Sequence, residues 1–303
     1  MHWFPIAIIA PILFGLVNHL DKYLLDKYFR FKGVGALALY SSLFGLVILP
    51  LAFFISPDGI GVDLLTGIIL IIVGILTGIA IILYLYALNK EETSLVVPFY
   101  QTVPLFGFIF GFALLGEKLS LSQAWAGLII LFGATILSLE FVEERRLRPR
   151  WNILILMLFS SMLYGFHEVL FKFATVETSF WKSIFWSNLG LFMVGIALFS
   201  LLPDFRNDFL STLKENKHSI VLVNLAGEAI TMIGNIAILY AVLLAPVALV
   251  QTVNGYQPVS VFIIGIFLTI FFPKIATEKL GTRHLFHKII SLVIIGIGTI
   301  LLY

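Results

Sequence analysis

The chain has 303 residues, of which 60% are hydrophobic and 12% charged, and its mean hydropathy is +1.06. A soluble domain carries about 25% charged residues, so a chain this apolar cannot cover its exterior with polar groups and must use lipid as solvent for much of it. The net charge is only +2 and there is no basic tail or nucleic-acid motif, which removes DNA and RNA as partners; the absence of cysteine removes disulfides and thiolate metal sites.

Apolar runs of about 17–25 residues are long enough to cross a bilayer as helices. Ten are read, near 3–25, 34–55, 64–86, 94–115, 121–140, 152–173, 183–202, 219–243, 247–270 and 286–303. The first lacks a basic leader and a small-residue cleavage site, so it reads as a span and not as a signal peptide. Ser56-Pro57-Asp58-Gly59 reads as a turn, with Pro presetting φ and Gly free to take positive φ. Gly116-Glu117-Lys118-Leu119 joins spans four and five, and Ser120 with Gln123 forms a capping box that opens span five. In the segment 204–217, Phe205, Phe209 and Leu213 fall four residues apart, which suits a short helix lying flat at the membrane surface. Only Ala245 and Pro246 separate spans eight and nine. Trp3, Trp125, Trp151 and Trp181 fall near span ends, where interfacial anchors belong.

An internal repeat sets the expected architecture. Leu13-Phe14-Gly15-Leu16-Val17-Asn18 parallels Leu163-Tyr164-Gly165-Phe166-His167-Glu168, and a lysine follows each Gly seven residues on, Lys22 and Lys172, at an offset of 150. Tyr86-Ala87-Leu88 through Pro104 parallels Tyr240-Ala241-Val242 through Pro258 at offset 154, and Glu117-Lys118-Leu119 parallels Glu278-Lys279-Leu280 at offset 161. The predicted fold is therefore an all-α integral membrane protein with ten transmembrane helices, arranged as two five-helix repeats, 1–150 and 151–303. Five is odd, so the second half enters the membrane from the opposite side, giving an inverted repeat around a central cavity near the bilayer midplane.

These residues resemble the EamA-type branch of the drug/metabolite transporter superfamily, over nearly the whole chain. The clearest piece is Tyr86-Ala87-Leu88, Thr93-Ser94-Leu95, Pro104, Leu115-Gly116-Glu117-Lys118-Leu119, Ala126-Gly127 and Gly133. Phe14-Gly15, Asn18 and Lys22 resemble the family's first-helix pattern, with Phe in place of Trp. The second half departs from the pattern, with Pro246 in the connector and extra residues before Glu278. The resemblance implies a ten-helix basket that exports or imports amino acids, other metabolites or drugs. It also implies termini in the cytoplasm, whereas the charges argue otherwise. Lys22, Lys27, Arg30, Lys32, Lys90, Arg145, Arg146, Arg148, Arg150, Arg206, Lys214, Lys217, Lys274, Lys279, Arg283 and Lys288 lie on one side of the expected topology, against Lys118, Lys172 and Lys182 on the other. Sixteen against three puts both termini outside by the positive-inside rule.

Ionisable groups inside a span are functional suspects because they are expensive there. Glu168 lies well inside span six and Glu228 near the middle of span eight. Ser161, Tyr164, Glu168 and Lys172 follow one helical stripe, and Asn224, Glu228, Thr231 and Asn235 follow another. Span nine adds Gln251, Asn254 and Pro258; span four adds Gln101 and Pro104; span one adds Gly15, Asn18 and Lys22. All can be buried together if they converge on one cavity. Glu228 and Glu168 are read as binding a cationic or amine-bearing solute or carrying a coupling proton. The alternative for Glu168 is a helix-stabilising ion pair with Lys172 one turn away. Tyr100, Tyr256, Phe99 and Trp186 are candidate aromatic walls. His167 is read as a packing histidine or a proton relay, and His19, beside Asp21 and Lys22, as interfacial. His284 and His287 lack a third ligand, so no metal is expected. Gly67, Gly74 and Gly78 suit close helix packing. Pro98, Pro104, Pro246 and Pro258 are expected to kink helices, with Pro104 and Pro258 candidates for gating. Arg145, Arg146, Arg148 and Arg150 are read as setting topology and touching lipid head groups.

The function expected is secondary active transport of a small organic solute by alternating access, with a proton or another ion as a coupling partner and no cofactor. The alternative is a flippase for a lipid-linked substrate, which would want Arg or Lys at the midplane. An enzyme is not expected, because no HExxH, paired-Asp or Ser/His arrangement is present. The composition suits a multi-pass protein of a bacterial or archaeal plasma membrane.

Overall fold

A computed structural model describes residues 2–24, 34–56, 58–90, 97–138, 151–215, 218–272 and 282–302, and every regular element among them is helical. The first half holds α1 (Phe4–Ala7), α2 (Ile9–Leu24), α3 (Val34–Leu43), α4 (Gly45–Ile55), α5 (Leu64–Lys90), a 3₁₀ segment (Val97–Thr102), α6 (Val103–Leu115) and α7 (Leu121–Ser138). The second half holds α8 (Trp151–Thr175), α9 (Phe180–Leu201), α10 (Pro203–Glu215) and α11 (His218–Leu244). It ends with α12 (Val247–Thr252), a second 3₁₀ segment (Val253–Tyr256), α13 (Gln257–Phe271) and α14 (Thr282–Leu302).

Among the described residues, six helical stretches are long and apolar enough to cross a membrane: Val34–Ile55, Leu64–Ala87, Ile155–Thr175, Phe180–Leu201, Val221–Leu244 and Val247–Phe271. Four shorter apolar helices accompany them, Phe4–Leu20, Tyr100–Leu115, Leu121–Ile136 and Ile289–Leu301. Large apolar side chains such as Phe54, Leu64 and Ile300 point outward, each more than three-quarters exposed. A water-facing surface of this kind would be unsustainable, and lipid is the solvent that suits it.

Small residues bring the helices together where the backbones cross. A Cβ on Gly15 would stand 2.7 Å from Ser260 Cβ and 3.0 Å from Val261 N, so α2 lies directly on α13. A Cβ on Gly165 would stand 2.8 Å from Phe106 Cβ and 2.9 Å from Gly107 N, so α8 lies on α6 in the same manner. Gly74 of α5 abuts the backbone of Ser187 and Leu191 on α9. Packing of this kind substitutes van der Waals contact for the hydrophobic drive that lipid does not supply.

Local signals read from the sequence recur in the fold. Gly59 takes φ +71° in the turn after α4, where the Ser56 hydroxyl donates to the Gly59 carbonyl. The Ser120 and Gln123 side chains exchange backbone hydrogen bonds as a capping box. Asp63 caps α5 by accepting from Thr66 N at 3.0 Å, and these hydrogen bonds hold its carboxyl below the usual range. The chain breaks at Ala245-Pro246, between α11 and α12.

Three features expected at the membrane interface pack against the protein. Trp3 is buried, packed on Phe4 and in a cluster with Ala7, Ala10 and Ala245, so its ring is covered by protein. His19 is buried and its Nε2 meets the Val261 carbonyl at 2.8 Å, so it is covered by protein and ties α2 to α13. The segment 203–215 is helical, but its apolar face is used on the protein: Phe205 lies on Gly35, and the Phe209 ring meets Tyr40 at 4.8 Å in a tilted arrangement. Of the expected apolar row, Leu213 is left exposed. The Arg145, Arg146, Arg148 and Arg150 connector, the Glu278-Lys279-Leu280 segment, and the side chains of Lys22, Pro98, Phe99, Trp151, His284 and His287 lie outside the described residues.

Candidate functional site

Between the helices lies a cavity of about 320 Å³. The size is at the small end for a small-molecule site. Of the residues singled out by sequence, Asn18, Tyr100, Gln101, Glu168, Glu228, Asn235, Gln251, Asn254 and Pro258 line it. They come from α2, the first 3₁₀ segment, α8, α11, α12, the second 3₁₀ segment and α13, so both halves of the chain contribute.

Three candidates are placed elsewhere. Asn224 is buried on α11 but does not reach the cavity. Tyr256 turns away to the Thr299 hydroxyl and the ring of Phe4, where it joins α14 and α1 to the second 3₁₀ segment. Pro104 is also outside the lining. It occupies the first turn of α6, directly after a 3₁₀ segment, and Pro258 holds the same position in α13 after the second such segment. Each proline thus marks a change of helical pitch, where its missing N–H costs nothing. Trp186 stands apart as well, donating from Nε1 to the Ile60 carbonyl at 2.8 Å.

Sequence reasoning missed Ser41, Thr77, Tyr84, Ser187, Asn188 and Gln257, all of which face the cavity. Single hydroxyls and amides in apolar runs carry no motif. Only the polar pair Ser187-Asn188 inside span seven offered a signal.

The two carboxylates have different surroundings. Glu228 Oε1 accepts from the Ser41 hydroxyl at 2.6 Å, linking α11 to α3. Glu168 is 5% exposed, and its Oε2 has no hydrogen-bond partner. The Gln251 amide lies near the Glu168 carboxyl, yet in strict hydrogen-bond geometry Gln251 Nε2 is also without a partner. Gln251 Oε1 instead accepts from Asn254 Nδ2 at 2.6 Å. His167, buried beside Glu168, also leaves its Nδ1 without a partner. A chain of rings walls one side, with Tyr84–Tyr100 at 5.1 Å, Tyr100–Tyr164 at 5.6 Å and Tyr164–His167 at 5.6 Å. Among the described residues, no group of three or more His, Cys, Asp or Glu could hold a metal ion.

The alternative reading of Glu168, an ion pair with Lys172, does not hold. Lys172 Nζ lies 2.7 Å from Glu117 Oε1 and donates to the Ala245 carbonyl, also at 2.7 Å. Glu117 Oε2 accepts from Val247 N at 2.8 Å, at the start of α12. Three separate stretches of chain are pinned here: the connector after α6, the end of α8, and the break between α11 and α12. Gly116 makes the geometry by taking φ +65°, which ends α6 and folds Glu117 back beside Gly111. A Cβ on Gly111 would stand 2.7 Å from Glu117 Oε2. The Gly-Glu connector read from the sequence is therefore a structural clasp outside the cavity lining.

Residues 2–139 match the EamA-like transporter family. No match to a curated protein was found. A solved structure described as "Crystal structure of protein" is similar over 99% of this chain and 96% of its own, with a TM-score of 0.70 at 14% identity, a likeness of fold alone. The family match covers just under half of the chain, its N-terminal part, and the apolar helices fit a multi-pass membrane protein.

Proposed function

We propose that the chain is a secondary active transporter that carries a small organic solute by alternating access through the central cavity. Ten spans are read as two inverted five-helix repeats, residues 1–150 and 151–303, with the cavity between them. The observation that carries this reading is a polar cavity holding two carboxylates, Glu168 and Glu228, enclosed by helices from both halves of an otherwise apolar chain. Such groups are costly in a membrane and are retained where they meet a ligand or an ion. Both carboxylates are assigned to substrate binding or to a coupling proton.

Two likenesses between the halves support the repeat. Gly15 rests on Ser260–Val261 and Gly165 on Phe106–Gly107, contacts related by the same offsets of 150 and 154 that relate the sequences. The 3₁₀-to-α change at Pro104 recurs at Pro258. A flippase for phosphate-bearing lipids is disfavoured, because no Lys or Arg lines the cavity among the described residues. The Lys/Arg bias supports a plasma-membrane orientation with both termini outside.

The test is charge movement on a solid-supported membrane, using protein in liposomes at two pH values. The panel covers amino acids, polyamines, choline-like cations, sugars and nucleosides, with Glu168→Gln and Glu228→Gln beside wild type. A saturable current from one class, lost in either variant, supports both the transport reading and the site. Currents that survive in both variants remove the carboxylates from the site. Absence of both current and radiolabelled uptake for every class removes the transport reading.

A further inference from the structure

We propose that the ligand of this cavity is a small organic cation, whose ammonium group is held at the Glu168 carboxyl beside Gln251 and Asn254. This names the substrate class of the site proposed above and rests on that reading.

Charge is the first argument. Glu168 and Glu228 line the cavity, and neither Lys nor Arg does among the described residues. The nearby cation, Lys172, is engaged by Glu117 and the Ala245 carbonyl outside the lining. An anionic solute would leave water to face carboxylates with no counter-charge, so its desolvation would go uncompensated. A zwitterion would meet the same difficulty at its own carboxylate. A monocation alone gains a counter-ion without bringing an unpaired negative charge.

Hydrogen bonding is the second argument, and it is independent of the first. Buried polar atoms are normally partnered, and each exception asks for a reason. Three lie together here: Glu168 Oε2, Gln251 Nε2 and Asn254 Oδ1. The Gln251–Asn254 hydrogen bond leaves one amide nitrogen and one amide oxygen of the pair with no partner, whichever way the two amides are turned. With Glu168 Oε2, the cluster holds two acceptor atoms; the nearby Gln251 nitrogen can serve the carboxylate, so the Asn254 oxygen and the second lone pairs of Glu168 are left for a ligand. An ammonium supplies up to three N–H donors and satisfies both.

The rest of the wall suits the rest of such a molecule. Tyr84, Tyr100 and Tyr164 present rings on one side, and Phe14 and Phe44 also face the cavity. Aromatic faces attract cations and bury apolar carbon. The volume of about 320 Å³ restricts the body to a small one.

The experiment compares three molecules that share a phenyl body and differ in charge: phenethylamine, phenylalanine and 3-phenylpropionate. Each is titrated calorimetrically into the full chain in lipid nanodiscs. Phenethylamine should bind saturably, phenylalanine about tenfold more weakly or worse, and phenylpropionate not at all. Glu168→Gln should weaken phenethylamine binding by about tenfold or more, equivalent to about 1.4 kcal/mol. Phenylalanine or phenylpropionate binding as tightly as the amine overturns the proposal, and so does failure of the amine to bind. The wild-type comparison stands even where the variant does not fold. Binding of the amine with no uptake of any solute class leaves this inference standing and removes the transport reading; flux of phenylalanine but not the amine does the reverse.

Discussion

Replacing Lys172 by Met should destabilise the protein more than the loss of any surface ion pair would. The Lys172 and Glu117 side chains are 16% and 12% exposed, so the pair is largely withdrawn from solvent. Removing the cation leaves Glu117 with Oε2 still held by Val247 N but Oε1 facing no counter-charge, and frees the Ala245 carbonyl as well. Breaking a buried pair from one side costs about 3–5 kcal/mol, whereas an exposed pair contributes about 0–1 kcal/mol. At about 2 °C per kcal/mol for a chain of this size, Lys172→Met should lower Tm by about 6 °C or more. The assay is thermal unfolding of the purified protein in detergent, followed by intrinsic tryptophan fluorescence. Adding Glu117→Gln removes the orphaned charge while keeping an acceptor for Val247 N, so the double variant should recover at least half of the loss. A shift below about 2 °C for Lys172→Met, or a double variant as unstable as the sum of the two singles, would refute the clasp.

Gly165→Val should cost about 1–3 kcal/mol, because even a Cβ would press on Phe106 and Gly107; the Tm of the detergent-solubilised protein reads this out, and Gly227→Ala, where a Cβ meets nothing within 4 Å, is the silent control. Tyr256→Phe should lower Tm by a few degrees through the lost contact with Thr299 while leaving the apparent KM within about twofold, and Tyr164→Phe, in the cavity wall, should do the opposite. Ser41→Ala removes the hydroxyl donated to Glu228; the prediction is a change of several-fold in apparent KM with Tm within about 3 °C of wild type, measured by uptake into liposomes.

Much of the arrangement was legible because membrane helices announce themselves by length and apolarity, and because turn chemistry is local. The Ser120–Gln123 box, the Gly59 turn and the break at Pro246 each follow from a few neighbouring residues. The polar stripes on spans six, eight and nine were also readable, since an amide or carboxylate in lipid has few places to go. Helix rotation was not readable: Tyr100 faces the cavity and Tyr256 faces α14, although both are tyrosines in matching broken segments. Partner choice was the other gap. Sequence spacing offered Glu168 to Lys172 one turn away, but the lysine reaches across space to Glu117. Trp3 and His19 illustrate the same limit, because nearness to a span end fixes depth in the membrane and not whether a neighbouring helix covers the side chain.

The clasp also bears on how the chain is made. Glu117 and the Val247 amide it receives are 130 residues apart. At about 5–20 residues per second, the first half waits roughly ten seconds in the translocation machinery or bilayer with a carboxylate whose lysine and helix start have yet to be synthesised. During that interval Glu117 has neither of its partners and must stay near the aqueous boundary. Completion of α12 is then the event that locks the connector after α6 in place. A ribosome stalled before that point would hold an inserted but unfastened half, and quality-control proteases would meet it in that form.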